Sequence, residues 1–247
     1  MNDPKSNSSS VLVICIAVRG YQSLFRTNID SHRRYCEKMG YRYCLVNSMG
    51  SMERWQIPWM KVALMDHALR SKFDWVMCID ADCLINESMP PLQSLAQYEQ
   101  KSLFMARGFS GQVNSGVFIA RDDASSRFFV RTILANCERD VPGADWGENG
   151  HVSFFARQCK KLFVLPRAWN NNTDPSEVDH IRHYCGGTRM EKIFGRDLLR
   201  RIALKLIRPA VTPKPKTRNG LRALLQDRLL YCLAQYPELH CSSNTTS

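Results

Sequence analysis

No stretch of this chain is apolar for long enough to cross a bilayer. The longest apolar run, Val11 to Val18 (VLVICIAV), ends after eight residues, against the roughly 20 that a spanning helix needs. The ten residues ahead of it, MNDPKSNSSS, are loose and polar, so neither a secretory leader nor an ordered N-terminus is expected over 1–10. No two of the ten cysteines are spaced Cys-x-x-Cys, which removes the pattern of a zinc ribbon or a thioredoxin site. Cys15, Cys78 and Cys83 sit in or beside apolar runs, where a thiol packs as a small hydrophobe; the thiols are expected to be mostly reduced, in a cytosolic setting. Without secretion, the Asn-x-Ser/Thr triplets at Asn7, Asn86, Asn171 and Asn244 carry no meaning. No internal repeat occurs. Acid is scarce in one place: between Arg196 and Arg228, ten Lys and Arg residues face only Asp197 and Asp227, so +8 of the net +11 lies there.

What is present fits one generous α/β domain with an appendage. The chain has 247 residues, with 44% hydrophobic and 23% charged, enough apolar surface for a packed core. Val11–Val18 has the length and composition of a strand buried on both faces. An amphipathic stretch over 24–39 ends at Gly40, a helix stop, and 41–46 (YRYCLV) is a second strand. The opening is therefore β-α-β, the mark of an open, mostly parallel sheet. A helix is predicted over 59–71 and a strand over 74–79 (DWVMCI). Further strands are expected over 102–106, 116–120 and 162–165, and helices over 125–137 and 151–158. After Gly187 the pattern changes: a basic amphipathic segment over 198–207, a linker with Pro209, Pro213 and Pro215, and a basic helix over 219–236.

The strand 74–79 runs directly into Asp80-Ala81-Asp82. Ligands of open α/β sheets bind beyond the carboxyl ends of the strands. Residues two apart in extended chain project to one side, which brings the two carboxylates together. Mg²⁺ and Mn²⁺ are held by such carboxylates in company with substrate phosphates. Asp-x-Asp is common in surface turns, but a surface turn rarely has apolar sequence on both sides, as DWVMCI and Leu84-Ile85 provide here. The triplet is read as a metal and diphosphate site.

Five elements in order then resemble one family. RRYCEKMGYRY (33–43), Trp59-Met60-Lys61, DWVMCIDADCL (74–84), Asn114-Ser115-Gly116-Val117-Phe118 and His183-Tyr184-Cys185-Gly186-Gly187 resemble successive landmarks of GT-A fold glycosyltransferases. Residues 10–190 are most similar to the galactosyl/mannosyltransferases of fungi and the related plant xylosyltransferases, and more distantly to the glycogenin-like family. The resemblance implies a Rossmann-like GT-A fold, a mixed and mostly parallel sheet flanked by helices. It also implies a nucleotide diphosphate sugar as donor, Mn²⁺ (or Mg²⁺) as cofactor, and a glycan or lipid-linked hydroxyl as acceptor. Asp80 would meet the ribose or the metal, Asp82 would ligate the metal, and His183 would be its third protein ligand. Lys61 would approach the diphosphate or the sugar; as a lone residue it reads equally well as a solvated helix lysine. Ala17, Arg19 and Tyr21 would lie near the base and ribose, and Asn114 and Ser115 in the donor-sugar pocket. The family places an acidic or amide residue facing the sugar in the Gly-rich loop PGADWGENGH; this sequence departs from the usual pattern there, and both Asp145 and Glu148 are candidates. Trp169-Asn170-Asn171 would help position the acceptor. Retention of anomeric configuration is implied, with an inverting reaction needing Asp145 or Glu148 as a base.

The expected layout is a GT-A domain over 11–195, a basic helical extension over 196–240 and a polar tail over 241–247. The extension fits a helix on an anionic membrane surface through 196–230, peripheral on the inner face, or helices packed on the core with solvated basic faces. Nucleic acid is not expected, since no recognised motif accompanies the charge. Two other functions compete with sugar transfer. One is a catalytically silent GT-A domain that binds glycans or acts as a scaffold. The other is a metal-dependent nuclease or phosphatase, which the Asn-Ser-Gly-x-Phe element and the late histidine argue against.

Overall fold

The structure is a computed structural model, and it describes residues 10–143, 147–184 and 218–241. The chain opens with β1 (Val11–Ile16), α1 (Tyr21–Leu24), α2 (Arg26–Met39) and β2 (Arg42–Val46). The helix expected over 24–39 is thus two helices. Phe25, at φ −106° and ψ 27°, breaks the ladder between them while its ring is buried. Then come α3 (Trp59–Arg70), β3 (Trp75–Asp80), β4 (Cys83–Ile85), β5 (Leu103–Ala106), β6 (Val117–Arg121), α4 (Ala124–Ala135), α5 (Glu148–Ala156), β7 (Leu162–Leu165), β8 (Ile181–His183) and α6 (Leu221–Gln235).

Six strands form one sheet in the order β2-β1-β3-β6-β5-β7. β1 runs parallel to β2 and β3, β6 runs antiparallel to its neighbours β3 and β5, and β7 is parallel to β5. This is a mixed, mostly parallel α/β sheet, as expected. Alternation along β1 and β3 divides the core into two faces. Leu12, Ile14, Val76 and Cys78 belong to the cluster under α3, α4 and α6, whereas Val13, Cys15, Met77 and Ile79 belong to the opposite cluster with α2. That parity puts Asp80 on the α3 side, level with Ile16 across the parallel β1–β3 register.

The sequence did not announce β4 and β8. They pair antiparallel as a separate two-stranded sheet, with Cys83 opposite His183. Tyr184 N–H also donates to the Asp82 carbonyl at 3.0 Å. This short ladder brings the acidic triplet and a histidine a hundred residues later to one place.

α3 is buried almost all round, with ten of its twelve residues inside, Lys61 among them. The helix expected over 59–71 is a central one, because α4 covers one side and α6 another. The helix expected over 219–236 is α6, and its apolar residues Leu221, Leu225 and Cys232 are buried in the main core. Those residues are therefore engaged by protein. Asp145, Trp146, the segment 185–187, the predicted helix 198–207, the proline-bearing linker and both termini (1–9 and 242–247) lie outside the described residues. No helix among the described residues is long and apolar enough to cross a membrane. All nine described cysteines are free thiols; burial, the leading cause, pushes the Cys137 thiol up to about 11 and that of Cys44 up to about 12, so neither is poised for reaction at neutral pH.

Candidate functional site

A cleft of about 400 Å³ opens beyond the carboxyl ends of β1 and β3, between α3, the N-terminus of α5, and β8. Its walls carry Arg19, Tyr21, Lys61, Asp80, Asp82, Asn114, Ser115, Glu148 and His183, so nearly every residue singled out from sequence converges there. Ala17 is the exception. Its side chain is buried in the opposite core cluster, because it shares the parity of Val13 and Cys15; Ile16 and Val18 face the cleft in its place. Arg54, Ile57, Pro58 and Asn149 also line it. Sequence reading passed over Arg54, Ile57 and Pro58, which lie in a loop with no residue pattern of its own.

His183 is buried and held on one side only. Its Nδ1 lies 2.7 Å from Asn170 Oδ1, and the Asn170 amide donates in turn to Asn114 Oδ1 at 3.0 Å. Nδ1 therefore carries a hydrogen, which leaves Nε2 to face the cleft. Nε2 is buried and makes no hydrogen bond, yet lies 3.3 Å from Asp82 Oδ1 and 4.0 Å from Asp80 Oδ2. A buried ring nitrogen beside two carboxylates calls for a cation between them, either a proton on Nε2 or a metal ion. The donor set, two carboxylates and an imidazole, suits Mn²⁺ well and Mg²⁺ less well, since imidazole is a softer partner. Cys83 Sγ also comes near Asp82 and His183. The thiol, however, donates to the Gly116 carbonyl at 3.7 Å and does not line the cleft. Asp80 is the third ligand that the chemistry favours.

Asn170, expected near an acceptor, instead fixes the histidine. This is the outer-shell hydrogen bond that orients metal-binding imidazoles, worth about 10- to 100-fold in metal affinity. Asn170→Ala is expected to weaken Mn²⁺ binding by about that factor, measured by electron spin resonance of free Mn²⁺. Wild-type affinity in this variant would show that Asn170 does not hold the ring.

Glu148, the first residue of α5, is buried beside the same cluster. Its Oε2 accepts from Ser115 Oγ at 3.1 Å and lies 4.0 Å from Lys61 Nζ, while Oε1 is buried with no hydrogen-bond partner. Burial raises the Glu148 pKa, Lys61 and Ser115 oppose that, and Asp80 adds to it; the net shift is upward. Lys61 Nζ lies 2.7 Å from Asp80 Oδ1 and donates to the Ser115 carbonyl at 2.9 Å. Burial alone would pull the lysine pKa down, but Asp80 and Glu148 outweigh it and the net shift is upward. Lys61 is therefore a buried cation bridging two carboxylates, not a solvated helix lysine. Ser115 N–H donates to Asn149 Oδ1 at 2.8 Å, which ties the Asn-Ser-Gly turn to α5.

No protein-family model matches the chain, and no curated protein matches its sequence. The fold is similar to that of two solved glycosyltransferases. One is described as involved in the glycosylation of the major capsid of PBCV-1. It is 15% identical, with a TM-score of 0.61 over 80% of this chain and 99% of that one. The other is GlyE of Streptococcus pneumoniae TIGR4, 12% identical, with a TM-score of 0.51 over 96% of this chain and 66% of that one. The likeness shows the fold, a GT-A-like α/β sheet flanked by helices.

Proposed function

We propose that this protein is a metal-dependent glycosyltransferase that moves a sugar from a nucleotide diphosphate sugar to a hydroxyl of a glycan or lipid-linked acceptor. The observation that carries this reading is His183 Nε2, buried without a hydrogen bond and facing Asp80 and Asp82. Asp80, Asp82 and His183 would hold Mn²⁺ or Mg²⁺, which when bound neutralises charge on a departing diphosphate. The charges of the cleft support a cation plus an anion. Among the described residues, Arg19, Arg54 and Lys61 balance Asp80, Asp82 and Glu148, so a divalent cation held there would add attraction for a diphosphate bearing about two negative charges.

The chain's own groups divide the remaining work. Lys61 keeps Asp80 in place and offsets its charge. Glu148 Oε1 is an acceptor without a donor at a cleft wall, suited to a sugar hydroxyl. Asn149 and Asn114 fix the turn between them. Of the two candidates for facing the sugar, Glu148 is supported by its free acceptor, and Asp145 lies outside the described residues. The five ordered sequence elements support kinship with the fungal and plant families named above, and with it retention; the anomer of the product, read by nuclear magnetic resonance, checks that step.

The test is a thermal-shift panel of UDP-, GDP- and dTDP-sugars with and without Mn²⁺. One donor, only with Mn²⁺, is expected to raise Tm by about 5–10 °C when present at about a hundred times its Kd. Stabilisation by glycans with no response to any donor and Mn²⁺ would establish the silent binding module instead.

A further inference from the structure

We infer that the C-terminal helix α6 acts on the donor cleft from outside, through a clamp centred on Tyr236 that fixes the loop 47–56. The inference rests on the cleft being the donor site. The loop leaves β2 and reaches α3, and its inner side carries Arg54 and Met52. Arg54 lines the cleft, and the Met52 carbonyl accepts from Arg19 Nη1 at 3.0 Å, holding a second cleft arginine.

The outer side of the same loop is bound to the C-terminal segment. Tyr236 Oη accepts from the backbone N–H groups of Asn47 and Ser48 at 3.1 and 2.8 Å. Its own proton goes to Asn47 Oδ1 at 2.9 Å or to the Ser48 carbonyl at 3.0 Å. Tyr231 Oη lies 3.2 Å from Ser48 Oγ. At Gly50, with φ +71°, the Arg228 guanidinium packs against the Cα. Asn47 also donates to Gln22 at 3.1 Å, beside the cleft residue Tyr21. These groups satisfy backbone N–H donors of a loop that has no ladder partner, which sets its conformation. A cleft wall held in its bound shape does not have to be ordered by the ligand, so the clamp contributes to donor affinity. Tyr236 is a positioning residue: it touches the loop and not the cleft.

The experiment compares wild type with Tyr236→Phe and, as a milder second variant, Tyr231→Phe. Binding is measured by calorimetry for Mn²⁺ alone and for Mn²⁺ with UDP, GDP or dTDP. Hydrogen exchange is followed at the amides of 47–56. In Tyr236→Phe, nucleotide Kd and donor KM are expected to rise about 5- to 10-fold, the equivalent of losing a well-placed hydrogen-bond node. kcat and the Mn²⁺ Kd stay within about twofold, and exchange quickens in 47–56 but not in β1 or β3. Tyr231→Phe moves the same quantities in the same direction by less. A role in fold stability alone would lower Tm and leave the KM and kcat split unmoved, and that result overturns the inference. So does nucleotide binding equal to wild type. Wild-type protein that binds none of the three nucleotides takes down the donor-site reading and this inference with it.

Discussion

Replacing Asp82 with alanine is expected to reduce Mn²⁺-dependent donor hydrolysis by about a thousandfold while leaving the fold intact. The direction of the effect comes from the site's geometry. Asp82 is nearly buried, its Oδ1 3.3 Å from His183 Nε2, with Asp80 on the same side of that nitrogen. With a cation these groups are ligands, and the loss of a group placed to stabilise transition-state charge costs on the order of a hundred- to a thousandfold. The lowered occupancy of the metal adds to that. Asp82→Asn separates charge from shape: it keeps an oxygen at the site and is expected to fall between wild type and alanine. Asp82→Ala with hydrolysis retained at saturating Mn²⁺ would remove Asp82 from the metal site. A drop in Tm of several degrees would instead mean that the carboxylate is a structural hydrogen-bond partner.

Much of this site was legible because its chemistry is local. An apolar run ending in Asp-x-Asp places two carboxylates at a strand end without any knowledge of the rest, and the structure puts Asp80 at that end of β3. What was not legible is the pairing that completes it. β4 and β8 are three residues each, too short for any periodicity to register, and they join segments far apart in the chain. The environment of Lys61 was hidden for a related reason. Whether a helix lysine is solvated depends on what covers the helix, and the covering elements α4 and α6 come later in the sequence. Ala17 was misplaced by one position of strand parity, since a run apolar at every residue does not say which face is which. Asn170 lay in a segment whose polar residues looked available for an acceptor, whereas the structure uses it on His183.

Gly116→Ala is expected to disable the metal site as thoroughly as removing a ligand, though it removes none. A Cβ built on Gly116 would intrude on His183 Cε1 and stand 2.8 Å from both His183 Nδ1 and Asn114 Oδ1. Neither neighbour has room to withdraw. The imidazole is buried and fixed by Asn170, and Asn114 Oδ1 accepts the Gly116 N–H at 2.9 Å. The strand cannot retreat either, because the Gly116 carbonyl accepts from Asp80 N–H at 2.8 Å. The methyl group must therefore tilt the ring or break one of these bonds, an overpacking cost of about 1–3 kcal/mol. Mn²⁺ affinity falls by a hundredfold or more on the same reasoning as for Asn170, with the ring now displaced as well as released. A double-mutant cycle decides whether the clash is with the histidine. In a His183→Ala background the obstructing imidazole is gone and only the Asn114 Oδ1 contact remains, so Gly116→Ala should cost clearly less stability in denaturant melts. If the second substitution costs as much with His183 absent as with it present, the glycine is required for the strand and not for the ligand. A coupling of about 1 kcal/mol or more ties the Asn-Ser-Gly turn to the metal site through one hydrogen-for-methyl exchange, and explains why that turn carries glycine where no positive φ demands one.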